Sequence, residues 1–146
     1  MFDFSGKTVL VTGGAQGIGK ETVKGVVEGG GHAVILDINE EVGKATAAEV
    51  GNCSFYKIDL GSSENIRAVM AQVLADFDRV DVLINVGGVI SKAPFEEISD
   101  AEWERTLRIN LTGTFTTCSA IYPYFKEKKG GRIVNVSSVA GKIGGG

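Results

Sequence analysis

Thr12-Gly13-Gly14-Ala15-Gln16-Gly17-Ile18-Gly19 is the stretch that decides how this chain folds. It follows the apolar run Val9-Leu10-Val11 and opens a segment with helical spacing, so it reads as a strand-to-helix turn. Glycines in such a turn admit positive φ and let a diphosphate come close to the main chain. The helix behind it points free N–H groups and the positive end of its dipole at that anion. The turn therefore predicts a phosphate-bearing cofactor.

Outward from the turn, apolar strands and amphipathic helices alternate with little linker. Lys7 to Thr12 reads as a buried strand, and Gly17 to Glu28 as a helix with Ile18, Val23, Val26 and Val27 towards the sheet. Gly29-Gly30-Gly31 stops that helix. Ala33 to Asp37 and Cys53 to Ile58 are further strands, separated by a helix over Glu40 to Val50. Ser62-Ser63-Glu64 caps a helix through about Phe77, and Val82 to Asn85 is the fourth strand. Ser99-Asp100-Ala101-Glu102 opens one helical stretch towards Lys128, and after Gly130-Gly131 the fifth strand runs from Arg132 to Ser137. Continuous apolar strands separated by helices imply a parallel sheet covered on both faces. Right-handed crossovers then give an α/β, Rossmann-like, doubly wound sheet of order 3-2-1-4-5, with ligands at the carboxyl ends of the strands.

Bulk composition narrows the partners. The 146 residues read as one domain, with 43% apolar and 23% charged residues, ordinary for a globular chain. The net charge of -3, with no basic run beyond Lys126 to Lys129, argues against nucleic acid. No apolar run approaches the roughly 20 residues that span a bilayer, and the N-terminus lacks a signal-peptide layout. Cys53 and Cys118, far apart, read as free thiols of a cytoplasmic protein, and no metal site is expected. His32, the single histidine, reads as structural.

A second phosphate-binding reading competes for the turn, since Gly14 to Lys20 fits the start of a P-loop. Glu21 follows, where a P-loop needs Ser or Thr to hold magnesium, and a carboxylate there repels phosphate. The dinucleotide reading gains from Asp37 at the end of strand two. A carboxylate there accepts hydrogen bonds from both ribose hydroxyls and repels a 2′-phosphate, and the next residues, Ile38 and Asn39, bring no cation. NAD is expected over NADP.

With Thr12 to Gly19 matching T-G-x-x-x-G-x-G, and with Asn110 and Asn135-Val136-Ser137-Ser138, the chain resembles the short-chain dehydrogenase/reductase family over nearly all its length. Asp59-Leu60 is similar to the family's adenine-contacting pair. Asn85-Val86-Gly87-Gly88 resembles its N-N-A-G stretch, with Val86 where the family has its second Asn. The resemblance implies hydride transfer between a nicotinamide and a small-molecule alcohol or ketone. It implies a cofactor-binding set of Gly13, Gln16, Gly17, Ile18, Gly19, Asp37, Ile38, Asp59, Leu60, Asn85, Gly87 and Ile109. Ser138 is then expected to polarise the substrate oxygen and Asn110 to hold a relay water. A homo-oligomer is expected as well.

The family's proton donor, a tyrosine in Y-x-x-x-K after the serine strand, does not occur before Gly146, so the chain resembles the family's amino-terminal part and is expected to be inactive by itself. The alternative is a dinucleotide-binding or assembly module without turnover. Tyr122 with Lys126 and Tyr124 with Lys128 have the same spacing but precede Ser138, near the end of a helix, away from the cofactor end of the sheet. They read as an ordinary amphipathic helix end.

Overall fold

In the computed structural model, which describes residues 2–143, the apolar runs lie side by side in one sheet. Its strands are β1 (Thr8–Thr12), β2 (His32–Asp37), β3 (Cys53–Lys57), β4 (Val82–Asn85) and β5 (Arg132–Asn135). All pair in parallel in the order β3-β2-β1-β4-β5, the order the alternation of the sequence implies. The chain reverses direction of growth between β1 and β4, which opens a crevice at their carboxyl ends.

Alternate residues of the central strands feed separate cores. Val9, Val11, Ala33 and Ile35 face helices α1 (Gly17–Glu28) and α2 (Glu40–Val50), packing with Val23, Val26 and Val27, whereas Ile18, expected towards the sheet, is exposed in the first turn of α1. Leu10, Val34, Leu36 and Leu83 face the other way, onto Ile66, Met70 and Val73 of α3 (Ser63–Asp76) and Ile121 and Phe125 of α5 (Thr114–Glu127). Helices on both faces are what make these strands continuously apolar. Each fully buried Leu or Ile here is worth about 1.5–3 kcal/mol of transfer free energy.

The stretch read as a single helix from Ser99 to Lys128 is divided. Helix α4 (Asp100–Leu107) runs into a widened π turn, Arg108–Gly113, before α5 begins. β-Branched Ile109 and Thr112 crowd this turn, and Thr114 and Thr116 hydroxyls donate to the carbonyls of Asn110 (2.9 Å) and Thr112 (2.7 Å). Such back-bonding competes with the regular helical ladder. Gly113 fits against Leu60, where an added Cβ would stand 2.7 Å from the Leu60 carbonyl oxygen. The fifth strand is shorter than expected and ends at Asn135, although the Val136 N–H still reaches the Asn85 carbonyl at 2.9 Å. A short helix α6 (Ala140–Ile143) follows Ser138 and was not anticipated.

Candidate functional site

The glycine turn lies where β1 leaves the sheet. Gly13 has φ +66°, and a Cβ on it would stand 2.6 Å from the Gly87 Cα. Only a residue without a side chain lets the loops after β1 and β4 touch there. Thr12 ties the same loops together, its hydroxyl oxygen accepting from the Val86 and Gly87 N–H groups at 3.1 Å each. Gly17, at φ +54°, turns the chain into α1, and the space where its Cβ would sit is open. Gly19 packs against the Gly13 carbonyl.

Helix α1 starts differently from its neighbours. Asn39, Ser62 and Ser99 cap α2, α3 and α4 with side-chain oxygens, accepting from the N–H groups of Val42, Asn65 and Glu102. Gln16 caps α1 with no side-chain hydrogen bond, and no acidic residue occupies its first turn. The first N–H groups of a helix need an acceptor. Here that acceptor is left to something else, and an anion suits both the N–H groups and the dipole.

Asp37 braces this opening. One carboxylate oxygen accepts from the Ala15 N–H at 3.1 Å and the other from the Asn39 N–H at 3.0 Å. Thr46, buried on α2, donates its hydroxyl to the Ala15 carbonyl at 2.8 Å. The turn is therefore anchored from β2 and α2, while each Asp37 oxygen keeps a further lone pair.

These elements enclose a cleft of about 420 Å³. Gly13, Gln16, Ile18 and Gly19 line it from the turn, and Asp37 and Ile38 from the end of β2. Asp59 and Leu60 contribute from the loop after β3, Gly87 from that after β4, and Ile109 from the π turn. Asp59 is fixed by its own loop: its N–H donates to Asn65 Oδ1 at 2.7 Å, and its Oδ1 accepts from the Gly61 N–H at 2.8 Å. Arg105, Val86, Gly88 and Val89 also line the cleft and were not anticipated. Arg105 stands four residues before Ile109, so the helical register around Ile109 was the signal that could have found it. Val89 lies in a loop and carries no such signal.

Four of the expected site residues lie outside the cleft lining. Gly17 shapes the turn. Asn85 is buried beneath the cleft, where Thr117 donates to its Oδ1 at 2.9 Å and its Nδ2 donates to Asn135 Oδ1 at 2.9 Å. It locks β4 to β5 and α5 rather than facing a ligand. Asn110 grips the loop after β4, its Oδ1 accepting from the Val89 N–H and its Nδ2 donating to the Val89 carbonyl, both at 2.8 Å. Ser138 is exposed beyond β5, and its Oγ accepts from the Ala140 N–H at 3.2 Å, so its own proton is free to be donated. Asn110 and Ser138 occupy the same end of the sheet but do not hydrogen-bond each other.

The tyrosine–lysine pairs of α5 sit elsewhere. Tyr124 Oη accepts from the Val80 N–H at 3.0 Å, in the loop leading into β4, and Lys128 Nζ lies 5.6 Å from its ring centroid. Tyr122 is 61% exposed. His32, at the start of β2, lies between Asn52 Oδ1 (3.1 Å) and Ser54 Oγ (3.0 Å). Burial pushes the Cys53 thiol up, which disfavours the reactive thiolate.

Comparison with known proteins gives a consistent pattern. The family model described as short chain dehydrogenase matches residues 7–146. The chain is 38% identical to a D-threitol dehydrogenase of Mycolicibacterium smegmatis, over 97% of this chain and 57% of that protein. It is 37% identical to a 2,5-dichloro-2,5-cyclohexadiene-1,4-diol dehydrogenase of Sphingobium indicum, over 99% of this chain and 59% of that protein. A rabbit (Oryctolagus cuniculus) L-fucose dehydrogenase is 32% identical over 97% of this chain and 50% of its own length. The crystal structure of gox2181 superposes with a TM-score of 0.91 at 29% identity, covering 96% of this chain and 56% of that one. The chain thus spans about half the length of the curated relatives it matches.

Proposed function

This chain belongs to the short-chain dehydrogenase family, and from that premise we propose that its cleft holds NAD for an oxidoreductase acting on a small alcohol or carbonyl compound. The observation that carries the reading is the uncapped start of α1 beneath an open glycine turn, with the Asp37 carboxylate pinned at its edge. That arrangement offers N–H groups to a diphosphate and a hydrogen-bond acceptor to a ribose. Bound there, a nicotinamide cofactor supplies or accepts a hydride at the substrate carbon.

NAD is favoured over NADP on electrostatic grounds. A 2′-phosphate beside Asp37 would face a carboxylate, and neither Ile38 nor Asn39 brings a compensating cation. The Asn39 amide oxygen is already capping α2. The P-loop alternative is weakened as well: Lys20 is paired with Glu49 at 2.6 Å and Glu21 with Lys24 at 2.9 Å.

Ser138 is assigned to hold the substrate oxygen, donating the hydroxyl proton that the Ala140 contact leaves free. Asn110 is assigned a relay water, which would take a remaining lone pair of its amide or main-chain oxygen, since the amide is bound to Val89 and the carbonyl accepts from the Thr114 hydroxyl at 2.9 Å. Gly13, Gln16, Gly17, Ile18 and Gly19 would receive the diphosphate; Asp37 and Ile38 the ribose; Asp59, Leu60 and Ile109 the base. Asn85 and Gly87 would keep the floor beneath it. No tyrosine among the described residues lines the cleft, so these 146 residues by themselves are assigned binding without turnover. Trp103, Leu107, Leu111 and Phe115, spaced four apart and exposed on α4, the π turn and α5, support self-association through that face.

Calorimetric titration with NADH and NADPH tests the reading. NADH is expected to bind at least about tenfold more tightly, roughly 1.4 kcal/mol. Equal or tighter binding of NADPH would remove Asp37 from its role, and binding of neither would remove the cofactor from the cleft.

A further inference from the structure

The residues around the cleft include the carboxylates of Asp37 and Asp59 and a single cation, Arg105, from α4. Arg105 is exposed and its side chain makes no hydrogen bond or ion pair with the described residues, so its guanidinium is available to a ligand. Its surroundings say which part of a ligand it meets. The π turn that follows abuts the loop after β3: a Cβ on Gly61 would stand 3.7 Å from Ile109 Cγ1. Ile58, Leu60 and Ile109 make that wall apolar, suited to a flat base. The glycine turn, in contrast, rises from β1, two strands away from β3, or roughly 10 Å at the usual strand spacing.

We infer that Arg105 is a specificity-determining residue that lays its guanidinium against the face of the adenine ring and closes the outer side of the base site. The inference rests on the cleft holding an adenine dinucleotide. A guanidinium is planar, always charged and weakly hydrated, so it stacks on an aromatic face at little desolvation cost. Asp59 complements it: its Oδ1 is bound to the Gly61 N–H, and its other oxygen can accept from an exocyclic amine at the edge of the base. The apolar wall, the carboxylate at the edge and the guanidinium on the face together select a purine carrying an amino group.

The test is binding of ADP-ribose, NADH and reduced nicotinamide mononucleotide to this chain and to its Arg105→Ala and Arg105→Lys variants. Arg105→Ala is expected to weaken ADP-ribose and NADH about fivefold, in the range of a partly exposed cation–π contact. Lysine, compact and strongly hydrated, is expected to restore less than half of that loss. The mononucleotide, which has no adenine, is expected to bind all three proteins alike. Arg105 is exposed, so the thermal midpoint should not move, and the fivefold loss should persist in high salt. Unchanged ADP-ribose affinity in Arg105→Ala overturns this inference alone. A loss that vanishes in high salt also overturns it, because it assigns the guanidinium to a phosphate. Failure of the wild-type protein to bind ADP-ribose overturns both this inference and the cofactor reading.

Discussion

The two ends of the same parallel sheet are built to opposite rules. At the amino ends the polar groups close on protein partners. The Asp81 carboxylate, 8% exposed, accepts from the Thr8 N–H at 3.1 Å and pairs with Arg79 at 2.6 Å and Lys7 at 3.4 Å. Tyr124 satisfies the Val80 N–H, and His32 bridges Asn52 and Ser54. At the carboxyl ends the helix after β1 begins uncapped, and Ile18 and Ile38 stand 68% and 59% exposed. Local rules broken at one end and kept at the other separate groups that hold the fold from groups that wait for a ligand.

The largest effect expected is at the open end. Gly13→Ala places a methyl group 2.6 Å from the Gly87 Cα at φ +66°, a conformation alanine adopts reluctantly. Left-handed strain and backbone displacement together should cost about 2–4 kcal/mol in urea unfolding and abolish NADH binding. A variant with wild-type stability and affinity would mean that the close approach of the loops after β1 and β4 is dispensable. Next comes the closed end. Asp81→Ala leaves the Thr8 N–H without its acceptor, at about 1–3 kcal/mol. The exposed Lys7 and Arg79 add little to that cost, because water screens them once freed. NADH affinity should stay within about twofold, since Asp81 lies at the amino end of β4 and does not line the cleft. A large loss of affinity with intact stability would erase the division between the ends.

The same division explains what could be read from the sequence. Sheet order followed from continuous apolar runs, because only a doubly covered strand such as Ala33 to Leu36 can be apolar at every position. The glycine turn and Asp37 were legible because φ and charge leave a mark on residue type. The π turn was not: Arg108–Gly113 has helical composition, and its widening depends on threonine back-bonds and on Leu60 from a distant loop. The inward commitments of Asn85 and Asn110 were equally hidden, since an amide reads the same in a sequence whether it meets a ligand or a neighbouring backbone. Arg105 escaped for the related reason that a charged residue on a helix is usually solvated.

A smaller effect, on preference rather than on binding itself, is expected at Asp37. Asp37→Ala removes the acceptor for the ribose and also the anchors of the Ala15 and Asn39 N–H groups, so affinity for both dinucleotides should fall. The readout is therefore the NADH-to-NADPH ratio, which should narrow at least about tenfold, some 1.4 kcal/mol. A ratio that does not move would mean that the carboxylate only braces the turn, and the open end would lose its clearest ligand-facing charge.

The smallest effect is expected at residues with the spacing of a catalytic pair. Tyr124→Phe removes one hydroxyl and leaves the Val80 N–H without its acceptor, which should cost about 1 kcal/mol in unfolding. The ring remains, so the Lys128 contact with its face should persist. Tyr122→Phe, at a site 61% exposed, should change stability by less than about 0.5 kcal/mol. Neither should alter NADH affinity by more than about twofold, because neither ring lines the cleft and Tyr124 is tied to the amino end of β4. Stability and affinity are thus expected to separate at one residue: a Tyr124→Phe protein that unfolds earlier yet binds NADH normally keeps the two ends distinct. Loss of NADH affinity with unchanged stability would place a ligand contact at the closed end and remove the division between the two ends.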